Sequence, residues 1–385
     1  MKGAATRAEI AIIGGGIAGC AVALHLARRG RSVIVLERDN AGVRASGINF
    51  GGVRQNGRDF RELPISMRAA RMWPRIADLI GFDGEFRQTG NLRLAVGATI
   101  ANQEHYFLAA IRAGLDLVHL DGAQLRARFP WISREMQLGL LCPSDGHANP
   151  RLVAPAFAIS AMEAGAKLIE NCAIESATHQ EGVFEINAKD GQRFVADILV
   201  NAAGAWGNKI AGWFGEEIEI VPEIPQVMVT EPAPYLIEPV IGFVGGDLYL
   251  RQTLRGNILF GGGHGRANAD WTLSRPLPEV SRSAAERAIR VVPGLRRLAI
   301  IRTWTGVDGD TRDGVAVVGK SARRPGLYHA FGFNGHGFQL GPAVGAVISE
   351  LIIDGRTETD ISGLGIERFL TPTPETFESE FNFGG

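Results

Sequence analysis

The chain has 385 residues, 45% of them hydrophobic and 21% charged, the composition of a globular protein too long for a single compact core. A formal net charge of −1 gives no electrostatic basis for binding nucleic acid or an anionic membrane surface. The three cysteines, Cys20, Cys142 and Cys172, stand far apart with no CxxC or Cys/His cluster, which argues against an iron–sulfur cluster or structural zinc and predicts no metal site.

Residues 1–9 lack the apolar region of a signal peptide, and no apolar run reaches the ~18 residues of a membrane span. A cytoplasmic protein without an integral membrane segment is therefore expected. Residues 10–19 read I-A-I-I-G-G-G-I-A-G. A β-branched run enters Gly14-x-Gly16-x-x-Gly19, a helical segment follows over 18–29, and a second apolar run over 32–36 ends in Glu37. A dinucleotide site needs this order. One glycine makes the tight turn, another lets the backbone approach a pyrophosphate, and the third lets helix and strand pack closely. The helix N-terminus, with Ile17 and Ala18, offers free N–H groups to phosphate, and Glu37 is placed to accept hydrogen bonds from ribose hydroxyls. Next comes a glycine-rich loop, 41–59, too long for a plain connector.

Helical spacing covers 61–80, with Leu63, Met67, Ala70, Met72, Ile76 and Leu79 on the apolar face. Alternation predicts a strand over 90–96, helices over 100–114 and 150–165, a strand over 167–176, and a hairpin over 183–197 around Asp190-Gly191. Residues 197–206, D-I-L-V-N-A-A-G-A-W, form a buried strand ending on Ala202, Ala203, Gly204 and Trp206. Small side chains there leave room for a ligand at the carboxyl edge of a parallel sheet. From 219 to about 305 the β-branched residues, prolines and turns such as 255–257 predict an antiparallel sheet of a different domain. The chain returns to the first domain near 314–319. A last strand over 327–331 and a helix over 337–353 flank F-G-F-N-G-H-G-F, and the polar tail after Thr371 is expected to be irregular.

Three separated pieces coincide: G-G-G-I-A-G with Glu37-Arg38, the N-A-A-G-A-W strand end, and the late G-F-N-G-H-G-F-Q-L-G-P-A-V-G. Together they resemble the D-amino-acid oxidase-like flavoprotein family, nearest to the branch of sarcosine oxidase β subunits, glycine and proline dehydrogenases and opine oxidase subunits. The resemblance implies an α/β chain (α+β in its two-domain sense): an interleaved Rossmann-like FAD-binding domain, 1–85, 147–220 and 314–385, and an antiparallel-sheet substrate domain, 86–146 and 221–313. It implies oxidation of a C–N bond of an amino or imino acid of the sarcosine, glycine, proline, D-amino acid or opine type. Hydride passes to the flavin N5, and the imine is hydrolysed by water. Other subunits or an electron acceptor are implied as partners. Two rivals stay open: a 2-hydroxy acid or glycerol-3-phosphate dehydrogenase of similar fold, and a flavin-bearing electron-relay subunit of a larger complex.

The resemblance also assigns residues. Ala45, Ser46, Gly47, Gly51, Gly52 and Val53 correspond to a flavin-cradling loop. Arg54 falls where relatives bind the substrate carboxylate, a task suited to a guanidinium fork. Asn334, Gly335, His336, Gly337, Phe338 and Gln339 lie near the flavin pyrimidine, where a helix start favours the reduced, anionic flavin. Ala173, Ile174 and Gly306 complete the FAD set. Tyr249 and Arg251 alternate on one strand face, and with His264 and His336 they are candidates for the substrate site. Departures matter as well. No cysteine follows Cys172, so the thioether that monomeric sarcosine oxidases form near the position of Gly306 is impossible. Asn149-Pro150 stands nearest the place of the FMN-linked histidine, with His147 close by, so FAD without a covalent link is expected. Gln339 replaces a lysine. Asp308 either pairs with a cationic substrate group or is a turn aspartate. Leu259 or Phe260 falls where oxygen-using relatives place a lysine over the flavin, which predicts slow direct use of oxygen.

Overall fold

The computed structural model describes residues 5–244 and 248–370. Its first strand, Thr6–Ile13, is apolar on both faces: Ile10 and Ile12 enter one core, Ala11 and Ile13 another. A strand buried on both sides belongs in the middle of a parallel sheet. The sheet order is Val317–Lys320, Leu327–Phe331, Arg193–Asn201, Thr6–Ile13, Val33–Leu36, Lys167–Ile169. All of these pair in parallel except the first, which runs antiparallel to Leu327–Phe331. Helices Ile17–Arg28 and Gly337–Ile353 cover one face, and they come very close: a Cβ on Gly345 would lie 2.5 Å from that of Ala21. The carboxyl ends of Thr6–Ile13 and Arg193–Asn201 therefore open side by side, where an open parallel sheet holds its ligand.

A second sheet runs Ile300–Thr305, Pro225–Pro232, Asn257–His264, Leu248–Gln252, Val240–Phe243, Asn91–Ala95, Leu138–Cys142, Val118–Asp121. Only Val240–Phe243 and Asn91–Ala95 pair in parallel. Side chains alternate between its faces. Leu92, Leu94, Met228, Leu248, Leu250 and Phe260 pack with Ala284, Ala288 and Val291 of helix Pro278–Val291. Arg93, Tyr249 and Val227 line a cavity on the opposite side.

Four elements differ from the sequence expectation. The 61–80 helix is three pieces, Leu63–Met72, a 3₁₀ turn Trp73–Arg75 and Ala77–Ile80, because Pro74 cannot donate into a continuous ladder. The 167–176 strand is two, Lys167–Ile169 in the parallel sheet and the antiparallel Ile174–Gln180, separated where Asn171 adopts φ +55°. Helix Pro278–Val291 was not anticipated among the β-rich segments. Loop 41–59 carries a helical turn, Ala45–Ile48, and a two-residue strand, Gly52–Val53, paired to Gly146–His147. The expected irregular tail after Thr371 lies outside the described residues.

Candidate functional site

One cavity of about 670 Å³ runs between the two sheets. Its first end is built largely of backbone. Gly14 has φ +114°, and a Cβ there would lie 2.3 Å from the Ala202 carbonyl oxygen, so the turn admits only glycine. Gly19 plays the packing part of the motif, since a Cβ on it would sit 2.0 Å from the Gly14 carbonyl oxygen. The Ser46 hydroxyl accepts from the Ile17 N–H at 2.9 Å and ties the 41–59 loop to the helix start. Glu37 accepts from the Gly15 N–H at 2.6 Å and the Asp39 N–H at 2.8 Å, so its carboxylate clasps the glycine turn from the end of the neighbouring strand. The Arg38 guanidinium lies 3.8 Å over the Trp206 ring. Ala173 and Ile174 form the adjoining wall.

Midway, Asn334 (φ +50°) and Gly335 (φ +74°) make the turn into helix Gly337–Ile353. Asp308 accepts from the N–H groups of Gly309 at 2.9 Å and Gly335 at 2.8 Å. These are the contacts of a turn aspartate, and Asp308 also borders the cavity. Asp310, facing the same cavity, is raised to about 7 by burial and by the charges of Asp308 and Glu223. A Cβ on Gly204 or Gly335 would meet no protein atom within 4 Å, so the cavity itself adjoins their backbone. Helix N–H donors, an accepting carboxylate at a strand end and an open glycine floor are the combination that a flavin dinucleotide requires, and the residues fit it.

The far end is built of side chains. Arg54 donates to the carbonyls of Asn56 at 2.8 Å and Gly57 at 3.4 Å, and its Nη2 stands 3.5 Å from His336 Nε2. His336 Nδ1 lies 2.7 Å from Glu62, whose other oxygen accepts the Ala316 N–H at 2.9 Å. Burial and the nearby Arg58 push His336 down to about 4, so at neutral pH it is uncharged, donates from Nδ1 and accepts from Arg54 at Nε2. Burial disfavours charge on Glu62, yet the charge that His336 carries once protonated at low pH, its hydrogen bond and the field of Arg58 outweigh burial and hold the acid at about 2. Asp145 accepts from the Gln55 and Asn56 N–H groups, fixing the loop that carries Arg54. Tyr249 donates to the Gln226 carbonyl at 3.2 Å and leans on Phe50; burial raises its phenol, so it is a neutral wall.

Most of the residues singled out in the sequence border this cavity. Gly19, Gly47, Val53, Arg251 and Gln339 stand behind its wall. Arg251 donates to the Phe50 carbonyl at 2.7 Å and meets His147 Nδ1 at 3.1 Å, so it supports the loop. Gln339 is spent on the Ser66 carbonyl, the Ser66 hydroxyl and Arg58. His264 borders the cavity at its rim, 54% exposed and 2.6 Å from Glu223. Neither Leu259 nor Phe260 reaches the cavity: Phe260 points into the core, and the strand presents Gly262 and Gly263 instead. Arg58 and Arg93 were missed. Both are buried and both line the cavity. The sequence signal for Arg93 was a charge inside Leu92-Arg93-Leu94, a polar residue on the alternate face of an apolar strand. Among the described residues no group of three or more metal-ligating side chains occurs, and no helix is long and apolar enough to cross a membrane.

The model of the family of FAD dependent oxidoreductases (DAO) matches residues 9–351. An opine oxidase subunit from Rhizobium meliloti is 26% identical over 381 residues, covering 94% of this chain and 97% of that one. Glycine oxidase of Geobacillus kaustophilus (strain HTA426) is 25% identical over 377 residues, covering 94% and 98%. Among solved structures, L-proline dehydrogenase from P. horikoshii superposes with a TM-score of 0.88 at 29% identity, covering 95% of this chain and 99% of that one. With the glycine cradle, the small-residue strand end and the late helix turn all inside the matched span, this chain belongs to the DAO family of FAD-dependent oxidoreductases, with FAD as its cofactor.

Proposed function

We propose that this protein oxidises the C–N bond of an amino or imino acid. The observation that carries the reading is a single cavity joining a dinucleotide cradle to a buried basic end with a fixed guanidinium, Arg54. The relatives named for opine, glycine and proline oxidation or dehydrogenation point to the same bond. Bound FAD would supply the two-electron acceptor for oxidation at the carbon beside nitrogen, leaving an imine for water to hydrolyse. The chain's own task is orientation. Arg54 holds a carboxylate, His336 and Glu62 hold Arg54, and the Tyr249 and Phe50 rings keep the reacting end dry. No side chain is asked to be a strong base, consistent with a neutral His336 and a neutral Tyr249.

Anaerobic addition of N-alkyl amino acids, D-amino acids, proline and opines should bleach the bound flavin with at least one class. A flavin reduced only by 2-hydroxy acids or glycerol 3-phosphate would overturn the reading. That rival has one observation in its favour, because phosphate or hydroxy-acid binding calls for extra cations and Arg58 and Arg93 supply them. FAD is held without a covalent link, since no cysteine follows Cys172 and His147 is engaged by Arg251. Acid precipitation should release all the yellow chromophore, and colour retained in the pellet would refute this.

A further inference from the structure

A hairpin, 266–275, leaves the second sheet after Asn257–His264 on two short paired strands, Arg266–Ala267 and Ser274–Arg275. Its tip braces itself. The Asn268 side-chain oxygen accepts the Leu273 N–H at 2.9 Å, and its amide donates to the Thr272 hydroxyl at 3.0 Å. That hydroxyl donates in turn to Asp270 at 2.8 Å. Trp271 holds φ +59°, a left-handed backbone that is strained for a bulky side chain and persists only where its surroundings fix it. The Trp271 and Trp206 side chains both pack on Ala205, Ile224 and Val307, which pins the tip against the strand end of the first sheet.

The hairpin itself does not line the cavity, yet two of its carbonyls hold residues that do. The Thr272 carbonyl accepts from Arg44 Nη1 at 2.6 Å, and the Asp270 carbonyl accepts from the Trp206 indole at 3.2 Å. Those two residues are joined on their other side. Arg44 donates to Asp39 at 2.7 Å, Arg38 donates to the same carboxylate oxygen at 3.2 Å, and the Arg38 guanidinium covers the Trp206 ring. The contacts therefore close into a ring: hairpin, Arg44, Asp39, Arg38, Trp206, hairpin. The hydrogen bond from Arg44 holds the Asp39 carboxyl below its ordinary range, so this pair is charged at neutral pH. Arg38, Asp39 and Arg44 are 30%, 31% and 35% exposed, so the ring stands where the dinucleotide end of the cavity meets water.

We propose that hairpin 266–275 is a latch on the cofactor. FAD passes in and out at this end, and it does so only when the Arg44–Thr272 and Trp206–Asp270 contacts open together. Because the tip is braced, both contacts part in one movement. Every member of the ring is a protein group, so closing it needs no cofactor, and that decides the kinetics. A contact made only to bound FAD would slow release and tighten binding. A latch that closes with or without FAD slows entry and release alike and leaves the affinity nearly unchanged.

The test is flavin kinetics without substrate. Residues 268–273 are replaced by Asn-Gly, a two-residue turn that joins the paired Ala267 and Ser274. Release is read from the rise in flavin fluorescence on dilution, and entry from its quenching when FAD is added to the apoprotein. Both rates should increase about tenfold, with the dissociation constant within about threefold of the wild type. If circular dichroism shows that the shortened protein does not fold, Trp271→Asn takes its place, since asparagine tolerates the left-handed backbone while the packed ring is lost. That variant should raise both rates about threefold. Salt at 0.5 M should speed release from the wild type more than from either variant, because it screens a ring that the wild type alone keeps closed. Unchanged rates in a folded variant, faster release with unchanged entry, or equal salt effects would each overturn the latch.

Discussion

The two ends of the cavity are built by different means. At the end proposed for the dinucleotide the lining groups are backbone N–H donors and the absence of side chains, at Gly14, Gly16, Gly204 and Gly335. At the substrate end they are long charged side chains drawn from remote segments: Arg54 and Arg58 from one loop, Arg93 from a strand, Glu62 at a helix start, His336 from the late turn. A backbone cradle tolerates no change at its glycines yet makes few demands elsewhere. A side-chain cluster depends on charge state and on every member holding the next.

The sharpest way to break the first end is Gly14→Ala. The backbone there has φ +114°, and the new Cβ would lie 2.3 Å from the carbonyl oxygen of Ala202 on the adjacent strand. Strain of ~1–3 kcal/mol comes from the conformation alone, and the clash with backbone adds to it. The variant should purify with almost no flavin, read as the ratio of 450 nm to 280 nm absorbance. Full flavin content in Gly14→Ala would show that the strand ends are free to separate.

Acid should act next most strongly, through the histidines. Burial drives His336 down to about 4, His25 to about 4 and His147 to about 3, with Arg58, Arg28 and Arg251 respectively adding to the effect. An unfolded histidine titrates near 6.5. Between that value and about 4 the unfolded chain takes up protons that the folded chain refuses. Stability is therefore full above pH 6.5 and falls as pH drops toward 4. Each pKa unit is worth about 1.4 kcal/mol, so the three groups together cost several kcal/mol by pH 5. The urea midpoint at pH 7.5 and pH 5 measures this, and an unchanged midpoint contradicts it. In the folded protein His336 takes up its proton only near pH 4, so loss of flavin reduction through repulsion of Arg54 should appear there, at the acid end of this window.

These contrasts explain what could be read from the chain. The glycine cradle was legible because backbone recognition imposes a spacing, Gly14-x-Gly16-x-x-Gly19, that is local in sequence. Strand Leu327–Phe331 and helix Gly337–Ile353 were legible at their full bounds because both are almost wholly buried and flank a glycine turn. Helix Pro278–Val291 was not, since its buried face is only Ala284, Ala288 and Val291 among charges, too small for a clear periodic signal. Arg93 was passed over for another reason, although its charge between two leucines marked it. One arginine in a strand reads as an outward-facing residue, and only the packing of two sheets shows that its face is the inside of a cavity. The same limit applied to Arg251: sharing a strand face with Tyr249 did not bring it to the cavity, because loop 41–59 and its Phe50 lie between.

Within the substrate end, Arg54 tests whether the fixed guanidinium works on the ligand. Arg54→Ala should lower the rate of flavin reduction per substrate concentration about a hundredfold, ~2.7 kcal/mol, in line with loss of one partner of a buried charge pair. Arg54→Lys should recover little, because an ammonium cannot bridge two carboxylate oxygens or reach the carbonyls of Asn56 and Gly57 together. Flavin content should stay at the wild-type level in both variants, which separates this end from the other. Native kinetics in Arg54→Ala would pass the clamp to Arg93.

His264 is the control that bounds the comparison. It lines the cavity, as Arg54 does, but at the rim, with half its side chain in water and Glu223 at 2.6 Å. A polar contact at such exposure contributes ~0–1 kcal/mol, and salt screens any charge on it. A residue can border the cavity without being desolvated, and desolvation is what gives Arg54 and Arg93 their strength. His264→Ala should therefore change flavin content not at all and flavin reduction by less than about threefold. Whatever effect remains should shrink in 0.5 M salt, where the Debye length is only several ångströms. A loss approaching that of Arg54→Ala would mean that the rim closes over the ligand, and the substrate end would then begin at Glu223 rather than at Tyr249.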